Sequence, residues 1–288
     1  MTFNPVTASN IIESLNFFDT SDLEALDIGA QTPTLNIEFI DFLINKYDFL
    51  DKDQVKKLNL LKNTLSQNKK FYTKDFFLAL NFRNYNSIDI NGAYKSEKFD
   101  LNKNIYLEYN FKKKYNLVIN NGTGEHIFNQ YSLFLNIHNL TKKEGLMIHV
   151  LPFIDWINHG FFNYNPLLFA DLAASNKYEI VKMSLANRDA AEINLEKKNY
   201  SAFLEQIKPN NIDSPFKKII NFAIEKLGKN ILIVVIMKKK DNNNFTIPLQ
   251  GKYLGDIIKT DLHKDYSKQK EGSQKAKNQI SDNNKRKN

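Results

Sequence analysis

One junction recurs along this chain and limits what it can fold into. A short apolar run stops abruptly at acidic or small polar residues, and a helical pattern follows. The clearest case is "YNLVINNGTGEHIF". Apolar residues run to Ile119, give way to Asn120, Asn121, Gly122, Thr123 and Gly124, and a helix-like segment opens at Glu125–His126. "EALDIGA" (24–30) likewise halts at Gly29 and precedes "TPTLNIEFIDFLINKY" (32–47). In that segment Thr32 is placed to cap, Pro33 suits the first helical position, and Leu35, Phe39, Phe42 and Leu43 share a face. Further strand-like runs are 86–92, 98–102, 145–152, 178–186 and 230–239, with helices expected over 125–138 and 165–176. Strands alternating with helices imply a mostly parallel sheet covered on both faces. The segment between the last two runs has no equally regular helix pattern, which reads as a hairpin-like antiparallel pair at the sheet edge.

Composition supports a packed core: 42% of residues are hydrophobic and 12% aromatic. The absence of cysteine excludes a disulfide scaffold, a thiolate metal site and cysteine nucleophilic catalysis. The N-terminus shows no signal-peptide pattern, and the most apolar run, "NILIVVIMKKK" (230–240), is too short to span a bilayer, so a cytoplasmic protein is expected. Much of the net charge of +8 lies in 262–288, which has almost no apolar residues and is expected to be a disordered, solubilising basic tail. The organisation expected is a lead-in segment (1–22), one domain (23–261) with a helical insertion at 187–229, and the tail. The stretch 244–256 is expected to be an ordered C-terminal wrap, with a lid over the site as the alternative.

In open α/β sheets ligands sit beyond the carboxyl ends of the strands. The residues there are Asp27, Gly29 and Ala30 after the first run, Asp89 after the second, Asp100 and Leu101 after the third, and Asn120, Asn121 and Gly122 after the fourth. Gly29 and Ala30 let backbone N–H groups approach a ligand. Asp89 can accept from both hydroxyls of a ribose, and Asp100 from an exocyclic amine with Leu101 against the base. Any one of these residues is an ordinary turn former. Their succession on consecutive strand ends is what points to a nucleoside.

In this order the motifs resemble those of class I S-adenosylmethionine-dependent methyltransferases. "ALDIGA" is similar to their first motif, "SIDI" (with Asp89 and Ile90) to the ribose-binding acidic motif, and "FDLN" to the motif near the adenine. "YNLVINNGTGEHIF" resembles the fourth-strand motif and "LTKKEGLMIHVLP" the fifth strand. The resemblance spans about residues 22–186 with the strand at 230–239. It implies a Rossmann-like doubly wound α/β fold, a seven-stranded mostly parallel sheet with an antiparallel last strand and helices on both faces. It also implies S-adenosylmethionine as cofactor. The family's first motif usually holds two or three glycines, whereas Gly29 here is followed by Ala30, Gln31, Thr32 and Pro33. A dinucleotide site suffers more from that gap, because its glycines admit a pyrophosphate.

The acceptor side is expected after the fifth strand, in "PFIDWINHGFFNYNPLLFADLAASN" (152–176), which holds the only Trp. His159 is the candidate base for a hydroxyl acceptor. His126, directly after the fourth strand, is the second candidate. His138 and His149 read as structural, and the absence of HxxxH or HExxH spacing gives no expectation of a histidine metal site. The function expected is methyl transfer from S-adenosylmethionine to oxygen or nitrogen of a small-molecule acceptor. One alternative is a catalytically silent binding protein of the same fold. A weaker one is an RNA methyltransferase steered by the tail, against which the fourth strand end lacks a "DPPY"- or "NPPY"-type motif. Nucleic acid is therefore not an expected partner, and no oligomeric interface is read from the pattern.

Overall fold

The computed structural model describes residues 2–18, 22–195 and 215–249. Seven strands form one sheet: β1 (Glu24–Asp27), β2 (Asn84–Ser87), β3 (Tyr115–Asn121), β4 (Thr141–Ile154), β5 (Tyr178–Ala186), β6 (Glu192–Asn194) and β7 (Ile231–Lys239). Their order is β2-β1-β3-β4-β7-β5-β6. β2, β1, β3 and β4 are mutually parallel, while β7 runs antiparallel between β4 and β5. The sheet is thus the seven-stranded, mostly parallel, doubly wound one expected, with its last strand reversed.

Period-two alternation within the strands divides the core between the two faces. Leu117 and Ile119 of β3, with Leu232, Val234 and Ile236 of β7, face one side. There they meet α1 (Pro5–Ser14), α2 (Ile37–Lys46), α3 (Lys52–Ser66) and α4 (Thr73–Ala79), through residues such as Ile11, Leu43, Leu58 and Phe77. Val118, Ile233, Val235 and Met237 face the other side. That side is covered by α5 (Ile105–Tyr109), α6 (Gln130–Leu140), α7 (Pro166–Asn176) and α8 (Pro215–Leu227). The chain's many asparagines find a structural use as helix caps. Asn4, Asn36, Asn104, Asn129 and Asn165 each accept a backbone N–H in the first turn of the following helix.

Several boundaries differ from expectation. The run 98–102 is a turn, not a strand. The chain reverses through Gly92, Tyr94 and Lys95, all at positive φ, and returns to the β2 end in a single isolated bridge between Glu97 and Ile88. The Asp100 side chain then accepts from the backbone and side chain of Asn102, which holds a turn in place of a ladder. The seventh strand is instead β6, a hairpin partner of β5 on the opposite edge, so the segment 187–229 opens as strand before α8. The helix expected over 32–47 is α2, capped by Asn36 rather than Thr32, because Pro33 is held in a bridge to Phe3. The helix expected from 125 starts five residues later, after a single 3-10 turn at Gly124–His126. The fifth run is longer than expected, at Thr141–Ile154. The described part of 244–256 packs on the domain, with Thr246 and Asn176 exchanging two hydrogen bonds. The tail 262–288 lies outside the described residues. No described helix is long and apolar enough to cross a membrane.

Candidate active site

Parallel β1, β2 and β3 release their chains at the same edge of the sheet, and a cleft of about 370 Å³ opens there. Of the candidate cofactor residues, Gly29, Ala30, Asp89, Ile90, Asp100, Leu101 and Gly122 line it, together with the candidate base His126. Ile28, Gln31, Ile88, Phe99, Asn102, Thr123 and Ile127 complete the wall. The size is within the range of small-molecule sites. No Lys or Arg is among these lining residues.

The loops that shape the cleft are tied to one another. Ala30 N–H donates to Asp89 Oδ2 at 3.2 Å, joining the β1 and β2 ends. Asp89 Oδ1 accepts from Asn91 N at 3.1 Å. Gln31 and Asn121 form a reciprocal amide clasp, the Gln31 amide donating to the Asn121 carbonyl and the Asn121 amide to Gln31 Oε1. Thr73 holds the same loop by donating to the Gln31 carbonyl at 2.7 Å. The residues after Gly29, which break the glycine pattern, therefore anchor the loop to β3 and α4. Ala30 and Gln31 also border a second cleft of about 590 Å³, lined by Tyr72, Thr73, Tyr85 and Tyr94.

Three expected cofactor residues do not reach the cleft. Asp27, Asn120 and Asn121 are buried beneath it. Burial pushes the Asp27 carboxyl well above the usual carboxylate range, and Tyr85 donates to it at 3.4 Å. Asn120 is a brace: its Oδ1 accepts from Gly124 N at 3.0 Å and its amide donates to His149 Nδ1 at 3.3 Å. His149 lies buried between Phe134 and Phe169, and burial lowers its pKa to about 3.

His159 comes from the loop after β4, outside the cleft wall but against His126, with ring centroids 5.1 Å apart. Between them lies Glu125, which is fully buried. Its Oε1 is 3.2 Å from His159 Nε2 and 3.9 Å from His126 Nε2. Its Oε2 has no hydrogen-bond partner among the described residues. Burial raises the Glu125 carboxyl to about 7 and lowers both imidazoles, with His126 adding to the effect on His159. The His159 loop is pressed onto Glu125: Phe161 N–H donates to the Glu125 carbonyl at 2.8 Å. A Cβ on Gly160 would stand 2.8 Å from Glu125 Cγ, so glycine permits this approach. Trp156 backs His159 at 4.9 Å and is fixed by its indole N–H on the Ile231 carbonyl. Glu125 is the residue that sequence reading passed over, as a helix start. Its one signal was a carboxylate adjacent to His126 at the end of a buried strand.

No family model and no curated protein matches the sequence. Among solved structures, the chain is similar in fold to a SAM-dependent methyltransferase from Archaeoglobus fulgidus. That match has 14% identity, 81% of this chain and 92% of the other, and a TM-score of 0.37. It is also similar to the O-MT segment of StiE, at 14% identity, 91% and 80% coverage and a TM-score of 0.36. A third likeness is to the O-methyltransferase of a trans-AT PKS multienzyme of Brevibacillus brevis, in complex with S-adenosyl-L-homocysteine. There the identity is 15%, the coverage 75% and 66%, and the TM-score 0.32. At these values the likeness is one of fold alone.

Proposed function

We propose that the cleft binds S-adenosylmethionine and that the protein transfers its methyl group to oxygen or nitrogen of a small-molecule acceptor. The observation that carries this reading is the charge of the wall: Asp89 and Asp100 contribute carboxylates and no Lys or Arg lines the cleft. A nucleoside bearing a cationic sulfonium suits such a wall, whereas a pyrophosphate cofactor would meet only repulsion. Ile90, Phe99, Leu101 and Ile127 supply apolar surface for a flat base. The acceptor would stand on the side of His126 and His159, where the transferred carbon must lie in line with the nucleophile.

One observation favours the alternative of a binding protein without turnover. Both Asp89 oxygens already accept backbone N–H groups, so the residue has a structural task of its own. Calorimetric titration with S-adenosylmethionine, S-adenosylhomocysteine and NAD tests the reading. The expected result is roughly micromolar binding of the first two only. Asp89→Ala is expected to weaken that binding at least about ten-fold, since a charged hydrogen-bond acceptor is lost. Binding of NAD alone, or of no nucleoside by a folded protein, refutes the proposal. Binding without methyl transfer to any acceptor leaves the silent reading. His159→Ala is expected to lower turnover more than cofactor affinity.

A further inference from the structure

We infer that Glu125, His126 and His159 form a binding site for a divalent first-row transition metal ion, at the mouth of the cleft. One donor atom from each of the three, the Glu125 carboxylate and the two imidazoles, lies within 4.8 Å of the others. Donors bound to one tetrahedral zinc ion at about 2.0–2.1 Å stand about 3.3 Å apart. The Glu125–His159 pair already has that spacing, at 3.2 Å. His126 is wider, at 3.9 Å, and its half-exposed ring is free to close the difference.

An independent observation points to a cation. Glu125 is fully buried, and its Oε2 takes no hydrogen bond among the described residues. A buried carboxylate with an orphaned oxygen is costly unless a positive charge stands beside it, and no Lys or Arg is paired with Glu125 among the described residues. The supporting shell is rigid: Phe161 N–H holds the Glu125 carbonyl, and Trp156 packs behind His159. Two imidazoles and one carboxylate form a donor set suited to zinc, iron or cobalt rather than to magnesium or calcium, which prefer oxygen ligands. Three protein donors leave a coordination position open, and His126 itself lines the cleft, so that position borders the same space. Spacing rules missed the site because its donors come from the ends of two different strands, β3 and β4.

The inference does not depend on methyl transfer. Metal binding without nucleoside binding would refute the proposed function and leave the metal site standing; the reverse would do the opposite. The test is titration of the full chain, freed of metal by a chelator, with Co²⁺ alone. Visible d–d absorption and quenching of the single Trp, whose ring is 4.9 Å from His159, are followed, and Zn²⁺ is then added as competitor. The expected result is one Co²⁺ per chain, displaced by Zn²⁺, with affinity reduced at least about ten-fold in both His126→Ala and His159→Ala. Both histidines are partly exposed, so these variants should fold. Glu125→Gln, checked for folding by circular dichroism, should lose binding in the same way. Absence of a d–d band, or unchanged affinity in both histidine variants, overturns the site.

Discussion

Gly29 is the one glycine of the β1 turn, and its necessity is spatial. Its φ lies outside the left-handed region, so the backbone itself would accept alanine. The new methyl would not fit. A Cβ at residue 29 would stand 2.0 Å from Thr123 Oγ1, 3.2 Å from Thr123 Cβ and 3.5 Å from Thr123 Cγ2. Rotating χ1 of Thr123 removes the 2.0 Å collision only by aiming Hβ at the methyl, with the two Cβ atoms still crowded at 3.2 Å. The turn must therefore spread, against the Gln31–Asn121 clasp and the Ala30–Asp89 bond. Overpacking of this kind costs about 1–3 kcal/mol, so Gly29→Ala is expected to lower unfolding stability by about 2 kcal/mol. Thr123→Ala removes Oγ1 and Cγ2 and should cost under about 1 kcal/mol alone. In the double variant it should restore about 1–2 kcal/mol of the Gly29→Ala loss. Urea unfolding followed by Trp156 fluorescence measures all three. A Gly29→Ala protein as stable as the parent, or a double variant no better than the sum of the singles, refutes the steric account.

Other expectations follow from buried polar groups. His138 accepts from Tyr178 OH and donates to the Asn243 carbonyl, and burial together with Lys239 lowers its pKa to about 4. The fold keeps it neutral while the unfolded chain protonates below about 6.5, so its stabilising contribution is full above that pH and is lost as pH falls toward 4. Lys114 and Asp241 also face it, with opposite effects. Asp27 and Glu125, whose carboxyls are raised, push stability the other way over part of this range, so the parent must be compared with His138→Gln. The difference in unfolding free energy between the two should shrink by about 2 kcal/mol from about pH 7 to pH 5; a constant difference refutes it. Asn120→Ala should cost about 1–3 kcal/mol by orphaning Gly124 N–H, and should speed amide exchange at Gly124. Unchanged exchange there would show that Asn120 is no brace. Glu24 is nearly buried and faces Arg83, Lys113 and Lys142 at 3.0–3.5 Å. Glu24→Gln is expected to cost about 1 kcal/mol at low salt and less at high salt; a salt-independent loss would point to packing instead.

The strands were legible where the sheet interior demands apolar residues: β7 is apolar from Ile231 to Met237, and β5 keeps its buried positions apolar apart from Ser184 while Glu179 faces outward. Tyr178–Ala186 and Ile231–Lys239 emerge within a residue of their observed bounds. "KFDLN" was misread because Phe99 and Leu101 alternate as a strand would, whereas Asp100 folds onto its own turn. Helix starts were misplaced where tertiary contact overrode local preference, as when Phe3 takes Pro33 out of α2. At the site, the exposed half of each strand-end motif was readable and the inward half was not. Asp27, Asn120 and Asn121 point away from the cleft to brace the loops that form it. The meeting of Glu125 with His159 is written in no local spacing, because 34 positions and the whole of β4 separate them.

The position of β7 bears on how the protein is made. It is the last strand in the described sequence, yet it lies in the interior of the sheet and joins β4 to β5. During synthesis, β4 must wait with one apolar edge unpaired while nearly eighty residues emerge, and β5 has no strand pairing towards the parallel half until β7 arrives. Such non-local closure is slow and leaves an edge open to pairing with another chain. The critical late event of folding is thus a single strand slotting into a gap eight register pairs long on the β4 side, from Leu146↔Lys238 to Ile154↔Ile231. A chain cut short before residue 231 would keep the candidate ligand cleft in its sequence and lose the strand that holds the two halves of the sheet together.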